Sequence, residues 1–350
     1  MKPKFIPIII LIFSVNARTL FSQNHIEKYY QYVNQAELVI CNEKYEDAGI
    51  FYKKAFAEHI PFCADLRHAF TLNYTYLNNI DEAVKYAHIL IQRDYPEIEE
   101  FIQDTVNEAV MYAHLKALLD TTKRTTIPEL QAALNEIIED DQAIRSEYPG
   151  YKHDNVDKIR AVDSINSKKI KLLYKKYGSI NETNTGSYLH NQSGIRMNLW
   201  HNGMWLKDPK EIVFQDVMNG NFDAREYANL EDKFKTEQLD RAEKKPYKAY
   251  YATNIAHAMI IHNVLFLWEP ENLEEVNDNR KAIYIAETWE DYKIKVLHAF
   301  YNNNPNFIFI TLKHFVYGEE EDNIQAANEM KAEIDEEHKT GNYERTYYER

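Results

Sequence analysis

Glu129–Gly150 reads ELQAALNEIIEDDQAIRSEYPG, and after a short polar break Asp157–Gly178 reads DKIRAVDSINSKKIKLLYKKYG. In the first segment Leu130, Leu134, Ile137, Ile138, Asp141 and Arg145 recur at three- and four-residue spacing, the period of an amphipathic helix. Asp141 and Arg145 stand one turn apart and can pair, with Gln142 beside them. In the second, Ile159, Val162, Asp163, Asn166, Ile170 and Leu173 form one stripe with polar residues set into it. Burying such groups is costly unless they are paired. The pattern therefore reads first as a satisfied buried network holding two helices in register, and second as a ligand site. Ion-pair networks and active sites leave the same trace in a sequence.

Outward from this pair, the composition fits a mostly helical chain. The protein has 350 residues, enough for two or three domains and a sizeable core. Only 9 Gly and 10 Pro interrupt it, against 26 Tyr and 16 Phe, so breakers are few and large side chains many. The formal net charge of −14 repels phosphate backbones and anionic lipid surfaces, which argues against a nucleic-acid partner.

Residues 1–23 read as a signal peptide. Lys2 and Lys4 precede the apolar run Phe5–Val15, and the cut falls after Ala17 or after Gln23. That run is too short to span a bilayer, so no membrane insertion is expected once it is removed. The mature chain is expected to be soluble and exported, in the periplasm or outside the cell.

Residues 24–120 carry an internal repeat. Lys44–Pro61 (KYEDAGIFYKKAFAEHIP) aligns with Asn79–Pro96 (NIDEAVKYAHILIQRDYP), putting Ala48 on Ala83, Tyr52 on Ala87, Ala55 on Leu90 and Pro61 on Pro96. An offset of about 35 residues, with small residues before a proline, resembles the second helix of a tetratricopeptide repeat. Residues 30–42 and 65–78 supply the first helices. The same alignment separates Cys41 from Cys63 by a helix length, so two free, semi-buried thiols are expected.

Thr121–Thr126 marks a domain boundary, and 127–318 follows as a helical domain. Asn219-Gly220-Asn221 is a turn between helices. Asn306–Val316 is a strand or a buried helix, and 319–350 is an acidic helix with a mobile tail. The expected fold is mainly α, with at most a small sheet contributed by the segment near Asn306–Val316.

From about Leu130 to Thr253, and more faintly to residue 300, the chain resembles a bacterial domain family of unknown function. The matching residues are Asp141, Gln142 and Arg145; then Asp163, Asn166, Lys171, Leu172, Tyr177 and Gly178; then Gly220, Tyr227, Ala228, Leu230 and Asp232; and finally Tyr251, Ala252 and Thr253. The family's Gln-His pair corresponds to Asn198-Leu199-Trp200-His201, and its Tyr-Gly-Thr glycine is Ala252 here. The resemblance implies a shared site but no activity. Together with the polar stripes it puts forward Asp141, Gln142, Arg145, Asp163, Asn166, His201, Asp232, Tyr251 and Thr253 as ligand-binding positions.

No phosphate loop, serine elbow or Cys/His metal signature is present, so no cofactor and no metal is expected. His257 and His262 are five apart and do not share a helix face. Three functions remain. The first is an exported module binding a protein or peptide through its repeats. The second is an envelope enzyme around Asp141, Arg145, His201 and Asp232. The third is a secreted accessory protein without catalysis.

Overall fold

The computed structural model describes residues 25–95, 98, 109–148, 155–186, 195, 201, 207–232, 258–270, 272–302, 306, 307, 309, 313, 314, 319–342 and 345–349. The expected signal peptide and the positions His257, Tyr251 and Thr253 lie outside these residues.

The protein is mainly helical. It opens with two helical hairpins: α1 (25–41) with α2 (Tyr45–Glu58), and α3 (Cys63–Thr71) with α4 (Ile80–Gln92). α3 runs on through a π-helical turn, Leu72–Tyr76. The aligned positions Ala48, Tyr52 and Ala55 of α2, and Ala83, Ala87 and Leu90 of α4, are all fully buried. The turns repeat as well, since Glu43 (φ 58°) and Asn78 (φ 49°) both adopt the left-handed conformation at equivalent places. Both cysteines are free. Burial pushes the Cys41 thiol up to about 12, so it is not a nucleophile at neutral pH.

α5 (Ala109–Thr121) packs on α4. α6 (Pro128–Glu147) starts with proline at its first turn, where no backbone donor is lost. α7 (Val156–Tyr177) ends at Gly178 (φ 80°) and runs antiparallel to α6. A single helical turn at Glu182–Thr185 is held by a capping box between Asn181 and Asn184. α8 (Lys207–Met218) and α9 (224–232) follow.

One hydrophobic cluster joins Ile26, Tyr29, Tyr30 and Val33 of α1 to Leu130, Leu134 and Ile137 of α6, Ile170 of α7 and Tyr227 and Leu230 of α9. A second joins Ala36 and Ile40 of α1 to α2, α3 and α4. α1 thus belongs to both cores, on either side of Thr121–Thr126. That polar stretch is itself tied down: Thr125 donates its backbone N–H to Gln92 (2.8 Å) and its hydroxyl to the Thr183 carbonyl (2.7 Å).

The C-terminal part is built on a four-stranded sheet of order β3-β1-β2-β4. β1 (Ala258–Ile261) and β2 (Val264–Trp268) form a hairpin whose two turn residues, His262 and Asn263, have φ of 40° and 61°. Positive φ at both positions matches the right-handed strand twist. α10 (Leu273–Ala282) and α11 (Trp289–Asn302) cover one face, where Leu265 and Leu267 meet Val276, Trp289 and Phe300. α12 (Glu320–Lys339) covers the other, where Val264 and Phe266 meet Ala327 and Ile334. A strand buried on both faces reads as an unbroken apolar run, as VLFLW does.

Two expectations are corrected here. The tail is not mobile throughout, because β4 (Arg345–Glu349) pairs antiparallel with β2. Its Thr346-Tyr347-Tyr348 run favours strand, and Arg345 is anchored on Glu337 at 2.5 Å. The sheet is also not chiefly the work of Asn306–Val316, which contributes only β3 (Lys313–His314) among the described residues. No described helix is long and apolar enough to cross a membrane.

The turn expected at Asn219-Gly220-Asn221 is present and tightly enclosed. Gly220 has φ 74°, and a Cβ there would lie 2.5 Å from His59 Nε2 and 3.0 Å from Ile26 Cδ1. Gly220→Ala combines left-handed strain with overpacking, for an expected loss of roughly 2–4 kcal/mol. Urea unfolding should show this as a lower midpoint at unchanged slope. A variant as stable as the parent would mean that the turn is not clamped against α1.

Candidate functional site

α6 and α7 hold the polar cluster expected from their stripes. Asp141 continues the buried row Leu130-Leu134-Ile137 and is itself fully buried. Its Oδ1 accepts from Arg145 Nη1 (2.7 Å) and faces His201 Nδ1 (2.9 Å), while Oδ2 accepts from Gln142 Nε2 (2.9 Å). Arg145 reaches across to α7, donating from Nη2 to both oxygens of Asp163 (3.1 and 3.3 Å). One turn along, Asn166 donates to the Ile137 carbonyl (3.2 Å). Lys169 closes the outer edge on Glu136 and Asp140, each at 2.7 Å.

Five of the nine sequence-selected positions therefore meet: Asp141, Gln142, Arg145, Asp163 and His201. Asn166 sits beside them on the same face of α7. Asp232 is fully buried at the end of the described part of α9. Tyr251 and Thr253 lie outside the described residues.

The chemistry open to this cluster follows from its bonding. A carboxylate that accepts a hydrogen bond from the Nδ1–H of a histidine fixes the ring and leaves Nε2 for proton exchange, the arrangement of a general base. Arg145 Nε and Asn166 Oδ1 are buried without a hydrogen-bond partner. Against this, Asp141 is enclosed and bonded on both oxygens, and Arg145 is balanced by two carboxylates.

A second, larger network was not legible in the sequence. Arg225, just inside α9, donates Nη1 and Nη2 to the two oxygens of Asp65 on α3, each at 2.9 Å. Its Nε and Nη2 also hold Asp223, at 3.0 and 2.7 Å. Tyr29 of α1 donates to Asp65 at 2.5 Å, and Tyr30 donates to Asp223 at 3.2 Å. From α11, Lys295 pairs with Glu37 of α1, with Asn34 Oδ1 (2.8 Å) and with Glu287 (2.8 Å). Arg280 closes the far end on Glu287 at 2.8 Å. Asp65, Arg280 and Lys295 are at most 2% exposed.

Four carboxylates (Glu37, Asp65, Asp223, Glu287) face three cations (Arg225, Lys295, Arg280) in this network. Burial pushes the Glu37 carboxyl up against the pull of Lys295 and Arg225. At Glu287 burial acts in the same direction, but Lys295 and Arg280 outweigh it and hold the carboxyl low. Glu37 and Glu287 share Lys295, yet burial prevails at Glu37 and the two cations prevail at Glu287.

Glu37, Asp65 and His68 also bring donor atoms within 4.8 Å of one another. They do not fit a metal centre. Both carboxylates already neutralise Arg225 and Lys295, and a divalent ion would be set against those two cations.

The inner face of the hairpins is occupied by the chain itself. Of α3, only Ala64 is exposed. Glu182 accepts from the Cys63 backbone N–H at 2.5 Å, Arg225 covers Asp65, and the His68 ring lies 4.9 Å from Phe309. The surface where a repeat protein would seat a peptide is filled from within.

If the Asp141 cluster is structural, Arg145→Ala leaves uncompensated buried carboxylates and lowers stability by about 3–5 kcal/mol. Asp141→Asn keeps shape and some hydrogen bonds and should cost clearly less. Urea unfolding of both variants beside the parent measures this. Parent-like stability in both would show that these groups serve a ligand and not the fold.

No family model, no curated protein and no solved structure matches this chain, so the roles of these residues rest on their geometry.

Proposed function

We propose that the chain is an exported protein that binds another protein or peptide through tetratricopeptide-type helical hairpins. The observation that carries this reading is where the hairpins remain open. Their inner face is spent on the protein's own core, whereas the outer face of α2 leaves Ile50 52% exposed, and Ile60 just after α2 is 65% exposed. Large aliphatic side chains held in water beside a well-packed layer suit a partner's apolar surface. Lys53 and Lys54 border Ile50 and add a basic rim.

The test uses the native host. A photo-crosslinking residue at position 50 or 60 should trap one partner in the cell envelope, and the same residue at exposed position 139 should trap none. Tryptic mapping of the trapped chain should find its first residue between Arg18 and Asn24. Equal trapping at all three positions, or none at 50 and 60, would remove the outer-face reading. An intact Met1 would remove export.

A second reading, an envelope enzyme using His201 as general base, is favoured by the 2.9 Å contact between His201 Nδ1 and Asp141. On that reading His201→Gln should fail to complement a deletion strain while unfolding like the parent. Full complementation by this variant would remove it.

A further inference from the structure

α7 differs in charge from the rest of the protein. Across Val156–Tyr177 seven Lys and Arg stand against two Asp, a net of +5 in a chain of net −14. Its buried face, Ile159-Asp163-Asn166-Ile170-Tyr174, is committed to α6 and the first core. The opposite face carries Ala161, Ile165, Lys168, Leu172 and Lys175, all exposed, at alternating spacings of four and three. That is the seam a helix presents to another helix. Ile165 is 51% and Leu172 64% exposed.

The complementary surface lies on the same chain. Across Glu320–Lys339 eight Asp and Glu stand against two Lys, a net of −6. Outside the face that α12 packs on the sheet, Glu329, Ala332, Glu333, Glu336 and Glu337 border an open depression of about 660 Å³, with Arg345 at its edge. Ala332 gives it an apolar floor between carboxylates. Ile324, one turn and more upstream, is a further exposed aliphatic residue.

From this match of charge and shape we infer that the outer face of α7 docks on the outer face of α12 of a second copy of the chain. Leu172 enters the depression over Ala332, and Lys168 and Lys175 meet Glu329 and Glu336. Two different surfaces are used, so the contact is head-to-tail and can extend beyond a dimer. A single pair of helix faces buries less than the roughly 1,200 Å² of a stable interface, so the association is weak and reversible. Its charge pairs lie at the rim in water, which makes it sensitive to salt. This inference is independent of the partner contact at Ile50 and Ile60, and either can fail without the other.

Sedimentation velocity of the full chain should show a weight-average mass that rises with concentration and falls when sodium chloride is raised from about 50 to about 500 mM, which shortens the Debye length about threefold. The double variant Lys168→Glu/Lys175→Glu should be monomeric, and so should Glu329→Lys/Glu336→Lys. Mixing these two variants should restore association at least tenfold over either alone, because each then meets its opposite charge. Circular dichroism confirms that both variants fold. A parent that stays monomeric throughout, or variants that do not rescue one another, would overturn the inference. So would a monomeric parent that instead sediments with phosphatidylglycerol vesicles through Lys168 and Lys175, which would assign the α7 face to a lipid surface.

Discussion

The Arg225–Asp65 pair is the contact on which the arrangement of the helices depends. Asp65 is fully buried while Arg225 keeps 31% of its side chain exposed; a carboxylate taken out of water loses several kcal/mol of hydration, and close, bidentate pairing returns it. The two residues lie 160 positions apart, and Lys295 and Glu37 are separated by 258. Each bond therefore dictates where a distant segment must stop. α9 cannot slide along α3 without parting Arg225 from Asp65, and α11 cannot turn without exposing or orphaning Lys295. Apolar packing tolerates small shifts of register, but these charges do not.

That constraint also explains which parts were legible in the sequence. The stripes of α6 and α7, the repeated Ala48 and Ala83, the glycine turn at 220 and the acidic helix at 320–339 are local patterns, and local periodicity reports them. The pairing of Asp141 with Arg145 is legible because both stand on one helix. Asp65, Glu37 and Lys295 send the same signal, a charge inside an apolar stripe. Their partners, however, come from other elements, and spacing along a helix carries no information about them. β4 was missed because a short Thr-Tyr-Tyr run becomes a strand only where β2 offers an open edge.

The two polar clusters differ in how completely their buried polar atoms are hydrogen-bonded. In the Arg225 network, Asp65, Arg280 and Lys295 are buried and the Tyr29 and Tyr30 hydroxyls bond its carboxylates, while Arg225 keeps 31% of its side chain exposed. In the Asp141 cluster the charged groups are no more exposed than that, but two buried polar atoms, Arg145 Nε and Asn166 Oδ1, are left without partners. The first has the character of a frame. The second is a smaller assembly at the edge of the same core, where Asp141 bonds a histidine from beyond α7 in the chain.

The position of α1 in both cores bears on how the chain comes to be folded. Glu37 leaves the ribosome long before Lys295, and at roughly 5–20 residues per second the gap of 258 residues lasts about 10–50 s. Throughout that interval Glu37 of the first helix lacks its Lys295 partner, although Arg225 is made 70 residues earlier. An unpaired carboxylate is held best by water, so the seat of Glu37 closes fully only when α11 arrives. A position near the start of the fold is thus completed by one made much later.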